Sequence, residues 1–436
     1  MPLLIIAIGI LLQVWLTSKK ITPFLSLLIV AILIGLLLGM DTTSLVSSIE
    51  KGVGSTLGGL ALILCLGAVL GKILEKSGAI QEISIALIKG LGKQHVQWAV
   101  LITGFLVGLP LYYNAGFVIL IPLVFSVAKT ARVPLLFVAI PMAAALSATH
   151  CFLPPHPGPV VLVDSLNADL GLTLLYGLIL VVPLSIISGP ALAWFFRKEK
   201  LNDHNTDANE AAGIEFTPAR STSFIIALLP IVLMTLAVFI KMYFDSTWYI
   251  NLILFLGDPT IALLASSLLA IYFLGIRLGY STPQVMGWAA EGISGIAMIL
   301  LIITSGGVLK QVLIDSGTGS YITEVSRNWN INPLLFGWLV TALLRVTLGS
   351  ATIAGLTAVG IVAPLVIATQ TSAELMVLSI GAGSIFGSHI NDTGFWMFKE
   401  YLGLSLKKTF LSWTMMESIM SLLGLFGVLL LDLFLK

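Results

Sequence analysis

Charged residues are scarce in this sequence. Of its 436 residues only 10% are charged and 58% are hydrophobic, and the mean hydropathy is +1.05. Charged residues make up about a quarter of an ordinary soluble domain, because they cover its surface. Their scarcity excludes a soluble globular protein of this length and predicts a membrane protein. The apolar residues form long continuous runs, which favour membrane helices over a β-barrel with its short alternating segments.

Cysteine and net charge are also low. The formal net charge of +1 gives no reason to expect nucleic acid as a partner. The two cysteines, Cys65 and Cys151, lie in or beside apolar runs without CxxC or Cys/His metal spacing, so we expect free core thiols. The chain also lacks HExxH, GxSxG and Walker A motifs. We therefore expect no metal, no cofactor, no enzymatic activity and no direct use of nucleotide energy.

The apolar runs predict an all-α polytopic membrane protein with about eleven to fourteen hydrophobic elements, since roughly 20 residues cross a bilayer as a helix. Two runs, 97–109 and 374–388, are too short to cross alone and predict re-entrant or broken helices. The first run has no basic residue before it and no clear cleavage site after it, which favours a membrane helix over a signal peptide. The candidate elements are 3–18, 22–40, 57–74, 97–109, 111–128, 133–149, 171–195, 222–243, 250–275, 289–313, 334–348, 351–369, 374–388 and 410–434.

A polar stretch near the middle of the chain predicts two membrane halves. The letters RKEKLNDHNTDANEAAGIEFTPAR, at 197–220, have the composition of a solvated loop. We assign residues 1–196 to a first membrane repeat, 197–221 to a polar linker loop and 222–436 to a second membrane repeat. These halves have similar hydropathy, which favours a duplicated architecture.

Two correspondences support internal repetition. The segments LGAVLGKILEKSG at 66–78 and SGGVLKQVLIDSG at 305–317 share six residues at one constant offset, although Leu, Val and Gly match easily by chance in membrane sequences. The proline-rich PPHPG at 154–158 has a counterpart in INDTG at 390–394, also near the end of its half. Repeated halves with broken helices at corresponding places are typical of secondary transporters.

The segment HCFLPPHPGP at 150–159 cannot continue a regular helix, because it holds four prolines. Backbone that leaves a helix at membrane depth must be buried in protein or line a wet cavity, where its freed N–H and C=O groups can bind a polar solute. The alternative is an ordinary loop between two spans. Neutral histidine donates, accepts and titrates near neutral pH. His156 is therefore a candidate for substrate binding and His150 for proton coupling, with a structural role as the alternative for each.

A second polar segment is PLYYNAGF at 110–117, in which Pro110 can break a helix. Asn114 follows two tyrosines and offers amide donors and an acceptor, which suit a polyhydroxylated ligand. We expect Asn114 to bind substrate. The alternative is a tyrosine pair at the membrane interface with Asn114 as a helix-packing residue.

A third segment, LRVTLGSATIAG at 344–355, contains a lone arginine. Arg345 is the one charged residue between Arg327 and Glu374. An arginine at membrane depth is costly unless it is paired or hydrated, so we expect it to hold a substrate carboxylate. The alternative is that its side chain extends to the interface from a helix end. Ser350 and Thr352 add hydroxyl groups to the same candidate site.

The densest polar segment is GSHINDTGFW at 387–396, directly after an apolar run. Three of its residues are candidates for substrate binding: Ser388, Asn391 and Thr393. Two are candidates for proton coupling, namely His389 and Asp392, of which Asp392 is the better acid. Asn391, Asp392 and Thr393 also suit a helix N-cap, and the two roles are compatible.

These segments together resemble the gluconate permease family of bacterial sugar-acid symporters. The resemblance is carried by GVGSTLGGLALIL at 52–64, ATHCFLPPHPGP at 148–159, LRVTLGSATIAG at 344–355 and GSHINDTGFWMFKEY at 387–401, and it covers essentially the whole chain. It implies membership of a superfamily of ion-coupled carboxylate transporters, with two inverted repeats, two re-entrant hairpins, a scaffold domain and a mobile transport domain. It also implies a homodimer in the bacterial inner membrane that takes up gluconate or a related aldonate together with protons.

One departure from the family pattern concerns Asn114. Family members usually carry a glutamate there, in the pattern FFEVGF, where this chain has YYNAGF. Asparagine does not titrate in the useful range, so a proton-coupling role is not carried over to this position. A hydrogen-bonding role is retained.

Three alternative functions follow from the same residues. The substrate of a symporter could be another small hydroxy or amino acid, such as D-serine or glycerate. The protein could also be an uncoupled facilitator or channel. A third alternative is a membrane-embedded enzyme in which His150, His156 and His389 bind a metal ion.

Overall fold

The computed structural model describes residues 2–92, 95–198, 217–244, 247–317 and 331–435, and it is helical throughout, with no strand in these residues. Most of the predicted linker, residues 199–216, lies outside the described residues. The helices are α1 Pro2–Ser18, α2 Pro23–Leu37, α3 Thr42–Lys76, α4 Ala79–Leu91, α5 Val96–Gly108, α6 Tyr113–Ala131, α7 Leu135–Phe152, α8 Pro157–Leu166, α9 Leu170–Ile186, α10 Arg220–Tyr243, α11 Trp248–Leu256, α12 Pro259–Ala270, α13 Thr282–Asp315, α14 Pro333–Leu348, α15 Ala351–Thr369, α16 Ala373–Gly383, α17 Thr393–Tyr401, α18 Leu406–Thr409 and α19 Met415–Leu435. Short π-helical turns at Ile187–Ala191, Ile271–Gly275 and Phe410–Thr414 extend α9 and α12 and join α18 to α19.

The described helices fit a multi-pass membrane protein. Seven of them are long and apolar enough to cross a membrane, and the number rises to nine if each of two bent pairs counts as one span. Five shorter apolar helices bring the described hydrophobic elements to fourteen, the upper end of the expected range. The all-α polytopic prediction is confirmed.

Two helical hairpins contain helices that are too short to cross a bilayer. Helix α5 has 13 residues and α14 has 16, which at 1.5 Å per residue gives about 20 Å and about 24 Å against a hydrocarbon core of roughly 30 Å. We call α5 with α6 the first hairpin and α14 with α15 the second hairpin. The tip of the second hairpin is tight because Gly349, with φ of +75°, takes a left-handed conformation that glycine adopts without strain.

Two further helices are interrupted where the sequence predicts breaks. Residues 153–156 separate α7 from α8, and residues 384–392 separate α16 from α17. Leu153 and His156 are almost completely buried, so the first break is not a surface loop. The short run predicted at 374–388 corresponds to α16, which has 11 residues and ends at Gly383.

A long helix, a hairpin and an interrupted helix occur in the same order before and after the polar stretch. Helices α3 and α13 have 35 and 34 residues, and each is followed by a glycine with positive φ, Gly78 or Gly317. The matched segments 66–78 and 305–317 form the last turns of these helices. In each half a hairpin and then an interrupted helix follow along the chain. Inverted orientation and the boundaries at 196 and 222 stay predictions, and α10 begins at Arg220.

The centre of the protein is formed by α7 and α15, which are buried along most of their length. Helices α3 and α13 pack closely against each other beside them. Gly52 allows this close approach, because a Cβ atom added there would lie 2.7 Å from the Cα of Val308 on α13. Gly54, two residues further along α3, faces open space.

Candidate functional site

The two hairpin tips and the second helix break meet at one cavity, and Cys151 and Pro157, on either side of the first break, also line it. Its volume is about 600 Å³, within the roughly 300–1,000 Å³ of small-molecule sites. Residues 110–115 of the first tip, 349–353 of the second tip and 392–394, where the second break meets α17, line it. Segments that are far apart in the sequence therefore form a single site.

Four helices begin at this cavity. The first residues of α6, α8, α15 and α17 all line it: Tyr113, Pro157, Ala351 and Thr393. The N-terminus of a helix carries a partial positive charge, because its first N–H groups have no partner within the helix. The start of a helix is a site that suits an anion, and the starts of these four helices converge on the cavity.

Arg345 adds a full positive charge to the same wall. It lies in the last turn of α14, its side chain is 3% exposed, and its Nη2 donates to Oδ2 of Asp392 at 2.5 Å. Its Nε and Nη1 atoms are buried and have no hydrogen-bond partner within the described residues. The arginine is therefore paired inside the protein instead of extending to the interface, and it keeps donor capacity beside the cavity.

Asp392 is held by a network of donors. Its Oδ1 accepts the N–H of Gly394 at 2.9 Å, so it caps α17 as expected. Its Oδ2 accepts the hydroxyl of Ser388 as well as the guanidinium of Arg345. The indole N–H of Trp413 in turn donates to Oγ of Ser388 at 2.7 Å. Asp392 therefore both caps a helix and fixes the position of the arginine.

The structure brings seven of the eleven predicted site residues to the cavity wall: Asn114, His150, Arg345, Ser350, Thr352, Asp392 and Thr393. Four do not line it, namely His156, Ser388, His389 and Asn391. Among the described residues no group of three or more His, Cys, Asp or Glu side chains could hold a metal ion.

Three of the four residues outside the cavity support the segments that surround it. His156 is buried, and its Nε2 lies 2.7 Å from the carbonyl oxygen of Gly108, the last residue of α5. Because a carbonyl can only accept, this nitrogen carries the hydrogen. Asn391 donates through Nδ2 to the carbonyl of Val346 at 2.8 Å, and Ser388 supports Asp392. These contacts tie each break to a hairpin.

Sequence reasoning missed an acid on the last helix. Glu417 in the first turn of α19 lines the cavity, is 2% exposed and accepts a hydrogen bond from Oγ of Ser147 at 2.5 Å. The sequence does contain an indication of this site, because Glu417 is the one charged residue between Lys408 and Asp432. An isolated ionisable residue in an apolar run marks a functional candidate by the same reasoning that singled out Arg345.

A second missed group is a set of ion pairs on the α3 and α13 side of the cavity. Lys72 lies 3.0 Å from Glu291 and 3.2 Å from Glu75. Lys76 lies 3.4 Å from Glu291. Lys72, Glu75 and Glu291 line the cavity, so this network joins the two long helices at its wall.

Comparison with known proteins decides the family. Residues 1–434 match the model of the GntP family permeases. This chain belongs to the GntP permease family. The family expected from the sequence is thereby confirmed, and the protein is a transporter, not an enzyme, with the multi-pass helices of a bacterial inner-membrane permease.

Curated relatives match this GntP permease along nearly its whole length. The high-affinity gluconate transporter of Escherichia coli strain K12 is 45% identical over 435 residues, covering 99% of each chain. The Gnt-II system L-idonate transporter of the same strain is 44% identical, covering 98% of each chain. The gluconate permease of Bacillus subtilis strain 168 is 42% identical, covering 99% of this chain and 100% of its own.

Solved structures share the fold of this permease at much lower sequence identity. The Alcanivorax borkumensis YdaH transporter has a TM-score of 0.68 and 16% identity, covering 98% of each chain. Neisseria gonorrhoeae MtrF has a TM-score of 0.64 and 15% identity, covering 90% of this chain and 84% of its own. Both are similar to this chain in fold alone.

Proposed function

We propose that this permease takes up gluconate, or a closely related aldonate, together with protons. The convergence of four helix N-termini and Arg345 on one cavity carries the proposal, because this arrangement suits a single carboxylate. Full-length relatives named for gluconate add support. Substrate binding by individual residues, proton coupling and the homodimer are predictions.

The remaining lining of the cavity matches the rest of a sugar acid. Asn114 on α6, Ser350 and Thr352 at the second tip and Thr393 on α17 present amide and hydroxyl groups to the same space. Such groups both donate and accept, as a chain of substrate hydroxyls requires. In this proposal Arg345 and the helix N-termini attract the carboxylate, and these four side chains hold the hydroxyl groups.

Uptake of labelled gluconate tests the proposal. The permease is expressed in bacteria that lack their own gluconate carriers, and uptake is measured at acidic and neutral pH, with and without a protonophore. We expect concentrative uptake that the protonophore abolishes. Accumulation that survives the protonophore would rule out proton coupling. Absence of uptake, with the protein confirmed in the membrane, would rule out gluconate.

L-Idonate is a second candidate substrate. The relative named for L-idonate is 44% identical to this chain and the first gluconate relative is 45% identical, so identity does not rank the two acids. Competition against labelled gluconate separates them, with D-serine and glycerate included as smaller competitors. If gluconate is preferred, we expect unlabelled gluconate to compete at the lowest concentration.

A further inference from the structure

Glu417 is buried against the cavity without a cationic partner. Its side chain is 2% exposed, its one hydrogen-bond partner is the hydroxyl of Ser147 on α7, and within the described part of the chain no lysine, arginine or histidine lies within ion-pair distance. Asp392 differs, because Arg345 neutralises it. A buried carboxylate without a counter-charge is costly, and binding a proton removes that cost.

Ser147 suits both protonation states of this carboxyl group. A hydroxyl can donate to the carboxylate, and it can rotate to accept from the protonated acid. Both residues line the cavity, which gives the proton a route to the group. Binding and release of the proton change no covalent bond of the substrate. The proton binds the carboxylate of Glu417 from one side of the membrane and is released to the other side.

The surrounding charges link this group to the substrate. The titratable and charged groups that interact with Glu417 are Arg345 on α14, Asp392 before α17, Tyr113 on α6 and Cys151 on α7. Arg345 and Asp392 together are neutral. When a substrate carboxylate joins Arg345, the site gains a negative charge, which favours a proton on Glu417. By linkage the proton favours the substrate to the same extent.

We propose that Glu417 carries the coupling proton and that Ser147 positions it. The inference rests on the proposed proton-coupled uptake and moves the proton-carrying role from Asp392, where the sequence suggested it, to Glu417. Asp392 keeps the role of holding Arg345.

Reconstituted protein separates coupling from binding. Counterflow of labelled gluconate, driven by unlabelled gluconate inside proteoliposomes, needs no proton gradient, whereas accumulation under an imposed pH gradient does. We expect Glu417→Gln to keep measurable counterflow and to lose at least tenfold of pH-driven accumulation. Glu400→Gln, on an exposed side chain of α17, is the matched control and should retain both.

The outcomes distinguish this inference from the function on which it rests. Absence of counterflow by the unaltered permease would overturn the proposed substrate. Normal pH-driven accumulation by Glu417→Gln would overturn the role of Glu417. Loss of accumulation only in Asp392→Asn, with counterflow and the amount in the membrane retained, would return that role to Asp392. Accumulation driven by a sodium gradient instead of a pH gradient would also overturn the proposal that Glu417 carries a coupling proton.

Ser147→Ala provides a second test that does not depend on the stability of the glutamine variant. Removing the hydroxyl that donates to the carboxylate makes the proton bind Glu417 more tightly. We therefore expect the midpoint of the pH profile for uptake to move to higher pH in Ser147→Ala. An unchanged midpoint, with uptake retained, would overturn the pairing of these two residues.

Discussion

Arg345 uses only one of its side-chain nitrogens to pair with Asp392. Nη2 binds Asp392, whereas Nε and Nη1 have no partner in the described residues. A buried arginine without an acid would be strongly destabilising, so Asp392 makes the charge tolerable at this depth. The pair thereby keeps a cation beside the cavity that a substrate anion can use.

The charge of Arg345 can be tested without leaving Asp392 unpaired. In the double variant Arg345→Gln/Asp392→Asn no buried charge is left alone, so we expect normal amounts in the membrane. A hydrogen bond to a charged group contributes about 1.5–3 kcal/mol, which corresponds to roughly a 10- to 150-fold rise in the KM for gluconate. Uptake kinetics with quantified membrane protein measure this. A KM equal to that of the unaltered permease would remove Arg345 from the substrate site.

The sequence does not show in which direction an individual side chain points. The sequence predicts that His156, within the proline break, binds substrate, yet it faces Gly108 while His150 lines the cavity. Glu417 lies within the run at 410–434, whose overall hydropathy predicts a membrane span and does not show which side of the helix faces a cavity. The residue types were visible in both cases, but the rotation of a helix about its axis and the path of a break depend on contacts with distant segments.

The helices were predictable from the sequence wherever the membrane environment requires a helix. Long apolar runs must form helices because hydrocarbon cannot satisfy exposed backbone groups. The predicted runs accordingly recur as helices, except that the run at 250–275 is divided between α11 and α12 at Gly257 and Asp258. Short runs such as 97–109 were predictable as incomplete spans from length alone. The convergence of the two hairpin tips on one cavity was not, because the local pattern of PLYYN and LGSAT carries no information about distant segments.

The close packing of α3 against α13 gives a prediction at this scale. A methyl group at Gly52 would meet backbone atoms of α13, which cannot move as a side chain can, so we expect Gly52→Ala to destabilise the protein by about 1–3 kcal/mol. Thermal unfolding of the purified permease measures the change. Gly54→Ala on the same helix is the control and should be neutral or slightly stabilising, because open space surrounds it and alanine favours helix. Equal effects at both positions would contradict the packing argument.

The start of α9 gives a second prediction, which concerns pH. Asp169 lies between two spans, accepts the N–H of Leu172 at 3.0 Å and pairs with Lys241 at 3.2 Å. Burial alone would raise the pKa of Asp169, but the N–H of Leu172 and the ammonium of Lys241 outweigh it and lower the pKa. Its contribution to stability is therefore fully present above the unfolded pKa of about 3.9 and is lost as the pH falls through the lower folded value.

Substitution of Asp169 checks both the cap and the sign of the pH effect. We expect Asp169→Ala to lower stability by about 0.5–2 kcal/mol through loss of the cap. Asp169→Asn keeps a capping oxygen and should cost less. Thermal unfolding should show the alanine effect unchanged between pH 5 and pH 8. An effect that varies strongly across that window would mean that another group is responsible.

At the scale of the whole molecule the cavity is shared by both halves. The first tip and α8 come from one half, and the second tip, α17 and Glu417 from the other. Any relative movement of these parts changes the site, which is the requirement for a carrier that exposes one site to two sides in turn.

The two cysteines allow this arrangement to be followed. Cys151 lines the cavity, whereas Cys65 on α3 does not. We expect gluconate to slow maleimide labelling of Cys151 in a Cys65→Ser background by a factor on the order of three or more, because bound substrate fills the space beside the thiol. Labelling of Cys65 in a Cys151→Ser background should not change. Mass spectrometry of the labelled protein measures both rates, and equal protection of the two thiols would argue against a localised site.

The two hairpin tips match in position but not in chemistry. The first presents Tyr112, Tyr113 and Asn114 to the cavity, and the second presents Gly349, Ser350 and Thr352. A carrier whose halves exchange roles between the two membrane faces would be kinetically symmetrical only if these linings were equivalent. Microscopic reversibility fixes the equilibrium ratio of the substrate concentrations on the two sides of the membrane. It does not fix the separate rates of influx and efflux. We therefore expect this permease to act as a rectifier, with different half-saturation concentrations for influx and for efflux of the same sugar acid.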